Sequence, residues 1–305
     1  MEVRERKQQE QETLKEKLRV KWNTRDFTPK EDHTNILTMN VFFFMILSLS
    51  VEALIFLIPS VFPESTWIMR GVMLFMIIET VINWHRSYFD TDNYVKAELK
   101  QKHFPDTVDT PADWVACIKC QVDRPPRAFH CNHCGKCMLK RVHHCFLTGS
   151  CIGFYNQRFF VIFCLWSTIT SGFCLYLQLT YLNMDLPLNT VACFTYIPPV
   201  AIVQFFTGYL SFGQTLLIFH FSLTIVAFFT ALFFFLWHVF LVYEGLTLHE
   251  GFKRIYTYSG TLKQHVQLIF GSYLYIPVLI FIPYRFELVG DGVNWKVRPK
   301  RVKGQ

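Results

Sequence analysis

Charge is scarce in this chain. Only 17% of its 305 residues are Asp, Glu, Lys or Arg, against roughly 25% in an average soluble protein. From residue 159 to residue 245 there is no Lys or Arg at all. Glycine and proline number only 14 and 13, which excludes a collagen-like chain, and 51% hydrophobic residues exclude a disordered one. The first 35 residues are rich in Glu, Lys, Arg and Gln and lack an apolar core, so no cleavable signal peptide is expected. No internal repeat is evident. What the chain has instead is phenylalanine, 32 copies, with a mean hydropathy of only +0.24. Very apolar stretches must therefore alternate with aqueous ones, which excludes a purely soluble enzyme.

Four apolar stretches stand out: 36–58, 67–84, 159–182 and 215–243. Each is close to or above the ~18–20 residues needed to cross a bilayer core. A fifth, 191–212, is interrupted by Pro198 and Pro199. The basic residues decide between four spans and five. Nine lie before residue 36, eleven between residues 85 and 158, nine after residue 245, and Arg70 stands alone. Four crossings put 29 of the 30 on one face, as the positive-inside rule asks. The fifth stretch is accordingly expected to be lumenal or re-entrant. The expected fold is an α-helical integral membrane protein, with four transmembrane helices and a small cysteine-rich cytosolic domain between spans 2 and 3. Its parts are a cytosolic polar arm (1–35), a transmembrane hairpin (36–84), the cysteine-rich domain (85–158), spans 3 and 4 (159–243) and a cytosolic C-terminal region (244–305). Both termini face the cytosol in this topology.

Seven of the ten cysteines fall between Cys117 and Cys151. In a reducing compartment that density reads as metal ligation rather than disulfides. The order is Cys117, Cys120, His130, Cys131, Cys134, Cys137, His143, His144, Cys145, Cys151. Structural zinc takes four Cys or His ligands. Two sites of three cysteines and one histidine each would use six of the seven thiols. One thiol is left over beside a pair of histidines, the arrangement of an activated nucleophile. Spacing leaves open whether His143 or His144 is a ligand.

These residues resemble the DHHC family of protein S-acyltransferases, multipass enzymes that palmitoylate proteins. Asn156, Phe160, Pro125 and Arg127 also stand where that family has them. The resemblance implies one structural zinc on Cys117, Cys120, His130 and Cys137 and a second on Cys131, Cys134, His144 and Cys151. It implies Cys145 as the acyl-carrying nucleophile and His143 as its base. The implied co-substrate is an acyl-CoA such as palmitoyl-CoA. The implied partners are the lipid bilayer and membrane-associated proteins with cytosolic cysteines, on an endomembrane such as the Golgi or endoplasmic reticulum.

Departures accompany the resemblance. Val142 stands where the motif has Asp, and Phe146–Ser150 replaces the frequent Pro-Trp-Val-Asn-Asn. Of the family's Thr-Thr-x-Glu, Thr247 and Glu250 remain, and His265 takes the place of an Asn. Asp26, Asp123 or Glu250 could replace the missing acid only if folding brings one of them near. The alternative function is a catalytically weak relative serving as a membrane scaffold or chaperone.

The acyl-CoA headgroup is expected to meet Lys140, Arg141, Arg158, Lys253 or Arg254. The acyl chain is expected among span aromatics such as Phe42, Phe43, Phe44, Phe163, Trp166, Phe173, Phe233, Phe234 and Trp237. Glu52 and Glu79, acids within spans, are expected to hydrogen-bond across helices to Asn83 or Gln178. His220 and His238 read as packed histidines, and His133 as a surface residue. Nucleic-acid recognition is not expected, because the cysteine spacing lacks the pattern that lays a finger helix in a groove.

Overall fold

The computed structural model describes residues 33–89, 93–105, 112–258 and 260–297; the polar arm up to residue 32, Asp26 included, lies outside them. Four helices are long and apolar enough to cross a membrane. The first, α1 (His33–Val51), runs on through a π-helical stretch Glu52–Leu57 and a last turn Ile58–Val61. Pro59 and Pro63 bracket the end of this span, and a short link leads to α2 (Thr66–Phe89). After a small helix α3 (Leu99–His103) come six short strands, then α4 (Gln157–Asp185). A nine-residue helix α5 (Pro198–Phe206) precedes α6 (Phe212–Glu244). At ~1.5 Å per residue α5 is far too short to span, in line with four crossings. Ser211 and Gln214 cap the start of α6 reciprocally, and Gly245, in the left-handed conformation (φ 68°), ends it.

Of the four long helices α4 is the most enclosed, packed between α2 and α6. Its inner face (Phe160, Phe163, Trp166, Leu177) is buried, while Phe44, Leu47, Phe229 and Phe233 on its neighbours point outward, as lipid-facing residues do. Some polar groups inside the bundle find partners on a neighbouring helix. The π-helical stretch shifts the hydrogen-bond register of the first span, and Arg70 Nε donates to the carbonyl of Leu54 there at 2.8 Å. The one basic residue outside the three blocks is thus tied to backbone.

Two expectations about intramembrane groups need correcting. Glu52 does bond across helices, to Gln178 (3.4 Å), but its second partner is His220, which is therefore paired rather than merely packed. Glu79 bonds to Asn83 at 3.2 Å within one helix, because residues four apart share a face.

The chain after α6 folds back over the bundle. It forms α7 (Leu248–Lys253), α8 (Leu262–Phe270) and, after a 54° bend, α9 (Ile276–Phe281). Trp166 of α4 donates to the carbonyl of Ile280 at 2.7 Å, and Leu279 is wholly buried. This segment packs against the spans, where its two prolines end any longer helix.

Candidate functional site

The cysteine-rich segment is built from three antiparallel hairpins: β1 (Val115–Cys117) with β2 (Val122–Arg124), β3 (Phe129–Cys131) with β4 (Lys136–Met138), and β5 (His143–Cys145) with β6 (Ser150–Ile152). Their first strands start at Val115, Phe129 and His143, each fourteen residues after the last. The expectation of no internal repeat is thereby corrected. The signal was there in the spacing: Cys117, Cys131 and Cys145 form one series, Cys120, Cys134 and Thr148 another, and His130 with His144 and Cys137 with Cys151 two more.

A hairpin of this series has two places for ligands, and the middle one fills both. The first is a turn at its tip, Cys-x-x-Cys followed by a residue at positive φ (Gln121, 54°; Gly135, 66°). The second is a cross-strand pair one step back, His130 opposite Cys137 and His144 opposite Cys151. Side chains alternate along a strand, so the neighbours His130 and Cys131 leave β3 on opposite faces. The pair of one hairpin thus meets the tip of the hairpin before it. Cys117, Cys120, His130 and Cys137 converge, and so do Cys131, Cys134, His144 and Cys151, with every ligand atom in a group within 4.8 Å of the others.

The donor sets fit tetrahedral zinc, which holds thiolates at ~2.3 Å and hence about 3.8 Å apart. Cys134 and Cys151 sulfurs are 3.7 Å apart, and the sulfurs lie 3.1–4.0 Å from His130 Nδ1 and 3.4–3.8 Å from His144 Nδ1. Three thiolates and one imidazole around Zn²⁺ leave a net negative charge, and Arg141 points its guanidinium at Cys151 (3.5 Å) and Cys131 (3.7 Å). His144 turns its other ring nitrogen to Asn35 Oδ1 of α1 at 3.2 Å, an outer contact that fixes the ring. His133, exposed, stacks on His144.

Three hairpins in series make two such sites, because the third tip has no successor. The next repeat would place its pair at Arg158 and Leu165, which belong instead to α4. Cys145 is therefore a tip cysteine with no metal partners, and Thr148 stands where its companion would be. The tip is sharp: Gly149 has φ +63°, and a Cβ there would come within 2.8 Å of Met39 Sδ. Strand alternation sends His144 to the metal side, while His143 and Cys145 share the opposite face.

That face lies against the helix ends. Cys145 joins a cluster with Phe42 and Met39 of α1, Trp84 of α2, Phe160 and Phe163 of α4, and Phe235 and Trp237 of α6. Of the expected acyl-chain aromatics, Phe42, Phe163 and Trp237 are in this cluster; Phe44 and Phe233 point outward. Thr38 Oγ1 donates to the carbonyl of Phe146 (2.8 Å) and Trp84 Nε1 to that of Leu147 (3.1 Å), pinning the third hairpin to the spans. Burial pushes the Cys145 thiol up, against hydrogen bonds around Thr148 and Leu147 that favour the thiolate. Burial, with Arg141 and His144 adding to it, holds His143 down at about 4.

None of the acids considered for the place of the missing aspartate is in position among the described residues. Val142, 3% exposed, is packed with Trp84, Ile152 and Phe160. Asp123 pairs with Lys100 at 3.3 Å. Glu250 pairs with Arg127 (2.6 and 2.9 Å) and closes a capping box with Thr247 at the start of α7. Thr247 and Glu250, the retained half of their motif, are the two members that make these bonds. Sequence reading missed the residue that does face His143: His238 of α6, with ring centroids 5.2 Å apart. No short-range pattern could have indicated it, since 95 positions separate the two.

The five expected headgroup contacts divide. Lys140 and Arg158 are buried, 4% and 1% exposed, and bonded within the chain, to Gln157 Oε1 and the carbonyl of Phe286. Burial, then neighbouring Arg127, holds the Lys140 ammonium well below its usual range despite Glu250. Neither presents its charge to solvent, which corrects the expectation for those two. Arg141 is engaged with the second cysteine group, and Lys253 and Arg254 are exposed at the end of α7.

Comparison with known proteins bears on this arrangement. Among curated proteins, the chain is 29% identical over 131 residues to palmitoyltransferase ZDHHC16A of Danio rerio, covering 39% of this chain and 34% of that one. It is 46% identical over 57 residues to palmitoyltransferase PFA3 of Debaryomyces hansenii, 19% of this chain and 14% of that one. It is 28% identical over 192 residues to palmitoyltransferase ZDHHC15 of Xenopus laevis, 60% of this chain and 50% of that one. The chain thus spans half or less of the length of these relatives. The family model described as DHHC palmitoyltransferase matches residues 112–255, from the residues before the first hairpin to just beyond α7. The three hairpins and the two ligand groups all lie within that match, so residues 112–255 form a domain of the DHHC palmitoyltransferase family.

Proposed function

We propose that the protein is a protein-cysteine S-palmitoyltransferase, which moves a fatty acyl group from acyl-CoA through Cys145 to cysteines of membrane-associated proteins. The observation that carries this reading is the position of Cys145. It is the one cysteine of the hairpin module outside the two ligand groups, and it sits where side chains of all four long helices meet. A thiol that must attack the first carbons of a membrane-embedded fatty chain belongs at that boundary.

The chemistry follows from the two residues on that face. His143 takes the proton of the Cys145 thiol: the S–H bond breaks and an N–H bond forms on the imidazole. The thiolate attacks the thioester carbonyl of acyl-CoA, the carbonyl-to-sulfur bond of CoA breaks, and the proton leaves with CoA as its thiol. A substrate cysteine then gives its thiol proton to His143 and attacks the acyl-Cys145 thioester; the bond between the carbonyl carbon and Cys145 Sγ breaks, and Cys145 takes that proton to become a thiol again. Burial disfavours both the thiolate and the imidazolium.

Zinc at either cysteine group would have four protein ligands and no open position, so it supplies shape, not a reacting water. The ligands are Cys117, Cys120, His130 and Cys137 at one site and Cys131, Cys134, His144 and Cys151 at the other. Arg127 braces the hairpins against α7 through Glu250 and through the carbonyl of Gly245 at 2.8 Å. Lys253 and Arg254 are the exposed cations left for the CoA phosphates. In this reading the termini, the hairpins and the C-terminal segment are cytosolic, residues 191–212 lie on the lumenal side, and the membrane is that of the Golgi or endoplasmic reticulum. The domain limits are those expected from the sequence, at 35, 84, 158 and 243.

One observation favours a second reading, a membrane scaffold with little activity: Val142 is sealed in an apolar cluster where a carboxylate would have no place. Clickable palmitoyl-CoA distinguishes the two. The purified full-length chain is expected to take up label that hydroxylamine removes, and Cys145→Ser to take up none while keeping two zinc ions. Equal labelling of the two proteins sinks the acyltransferase reading, and so does an unlabelled wild type.

A further inference from the structure

His143 has lost the usual source of orientation for a catalytic imidazole, and the structure supplies another in its place. A base of this kind works when a third group fixes which nitrogen carries the proton and where the ring points. Val142 cannot do so, and Asp123 and Glu250 are bound to Lys100 and Arg127. Around the His143 ring the aromatic contacts are Phe160 at 5.2 Å, Phe234 at 6.3 Å and His238 at 5.2 Å. Two of these can only pack. The third carries ring nitrogens.

The two histidines also share a deficit. His143 Nε2 and His238 Nδ1 are both sealed from solvent, and both lack a hydrogen-bond partner. His238 as a whole is 1% exposed, on α6 less than two turns from its end. A buried polar atom without a partner is rare and calls for an explanation. Here two such atoms belong to adjoining imidazoles, and a neutral imidazole has one N–H donor and one lone pair. Each ring can satisfy the other.

We propose that His238 is the positioning residue of the site: its Nδ1 lone pair accepts the Nε2–H of His143, which leaves the lone pair on His143 Nδ1 to take the Cys145 proton. In the structure the rings meet edge to face at 66°, with centroids 5.2 Å apart. The arrangement holds the neutral tautomer that can act as base and spreads the charge of the imidazolium that forms. Phe160 packs on both rings, 5.2 Å from one and 4.8 Å from the other, and limits their freedom. Because the acceptor comes from α6 and the base from β5, the pair also links the fourth long helix to the hairpin that carries the nucleophile. This inference rests on the acyltransferase reading of Cys145 and His143.

The test separates bonding from packing. His238→Phe keeps an aromatic ring but has no acceptor; His238→Asn loses the ring but puts an amide oxygen near the place of Nδ1. Both are made in the full-length protein and checked for two zinc ions per chain. If the lone pair matters, His238→Phe labels from palmitoyl-CoA about tenfold more slowly, less than the roughly 10²–10⁴-fold that a general base itself contributes, and His238→Asn recovers most of the rate. If His238 only fills space, the order reverses, and a His238→Phe rate equal to wild type overturns the proposal. Alkylation of Cys145 by iodoacetamide, counted against the Cys145→Ser protein, needs no acyl donor. It is expected to slow in His238→Phe by a similar factor. Should palmitoyl-CoA label nothing, the acyltransferase reading fails by itself, and unchanged alkylation in His238→Phe still overturns the pairing of the two histidines.

Discussion

The first two hairpins and the third have the same length, register and turn, and opposite chemistry. In the first two, the tip cysteines face a His–Cys pair contributed by the following hairpin and converge on a metal position. In the third, the tip cysteine faces helix side chains instead, because α4 begins where a fourth hairpin would have supplied ligands. The difference lies in the neighbour each tip is given. A repeat of n hairpins makes one site fewer than its tips, and the last tip is left with a free thiol held in a rigid frame. Locking the first two is what keeps the third in place, since a module this small has almost no apolar core of its own: Cys131, Met138 and Cys151 are its central cluster.

That contrast can be broken from the locked side. Cys134→Ala removes one ligand of the second group. Structural zinc in small domains is worth about 10 kcal/mol or more at neutral pH, far above what three short hairpins hold by other means. The expected outcome is a chain with at most one zinc by metal analysis, cleaved by protease between residues 115 and 152 under conditions that spare the wild type. Retention of two zinc ions in Cys134→Ala would show that the ligand group is wrongly drawn.

How much of this was legible beforehand differs between the two halves of the molecule. The spans were readable because hydrophobic runs are local: α2, expected at 67–84, extends over Thr66–Phe89, and α6, expected at 215–243, over Phe212–Glu244. The polar ends of these helices carry too little hydropathy to be counted with their middles. The ligand groups were accessible through spacing, though spacing alone left His143 and His144 interchangeable. The strand separates them, since adjacent residues of β5 face opposite sides. Contacts between distant segments were not readable. Lys140 and Arg158, expected at the acyl-CoA headgroup, are buried and bonded to Gln157 and to the carbonyl of Phe286, and His238, expected as packing, is brought by α6 to His143. His220 escaped in the same way, its partner Glu52 lying on another helix.

A gentler change distinguishes the two locked sites from each other. Among the described residues, only the second has a hydrogen bond from a helix side chain to its histidine, between Asn35 Oδ1 and His144 Nε2. Outer-contact losses of this kind cost about 10–100-fold in metal affinity. Asn35→Ala should therefore release one zinc of the two at a lower chelator concentration than wild type, leaving the other unaffected. Chelator titration with metal counting reads this directly. Simultaneous weakening of both sites would mean that the contact supports the whole module, and no change would remove Asn35 from the site's support.

The smallest expected effect tests why the third tip is free. Thr148→Cys restores the Cys-x-x-Cys tip in the last hairpin, with Gly149 already at the positive φ that the other tips have after their second cysteine. If a tip alone were enough to hold zinc, this variant would bind a third ion. If the next hairpin's pair is what completes a site, two thiols cannot close a tetrahedron, because the corresponding positions, Arg158 and Leu165, lie in a packed helix. The expected metal count is therefore two per chain, unchanged. Thr148 is fully buried, and its hydroxyl donates to the Cys145 carbonyl at 3.4 Å; a thiol of similar volume fits there, so the fold should survive the exchange. A count of three would show that Cys145 is free only because Thr148 is not a ligand.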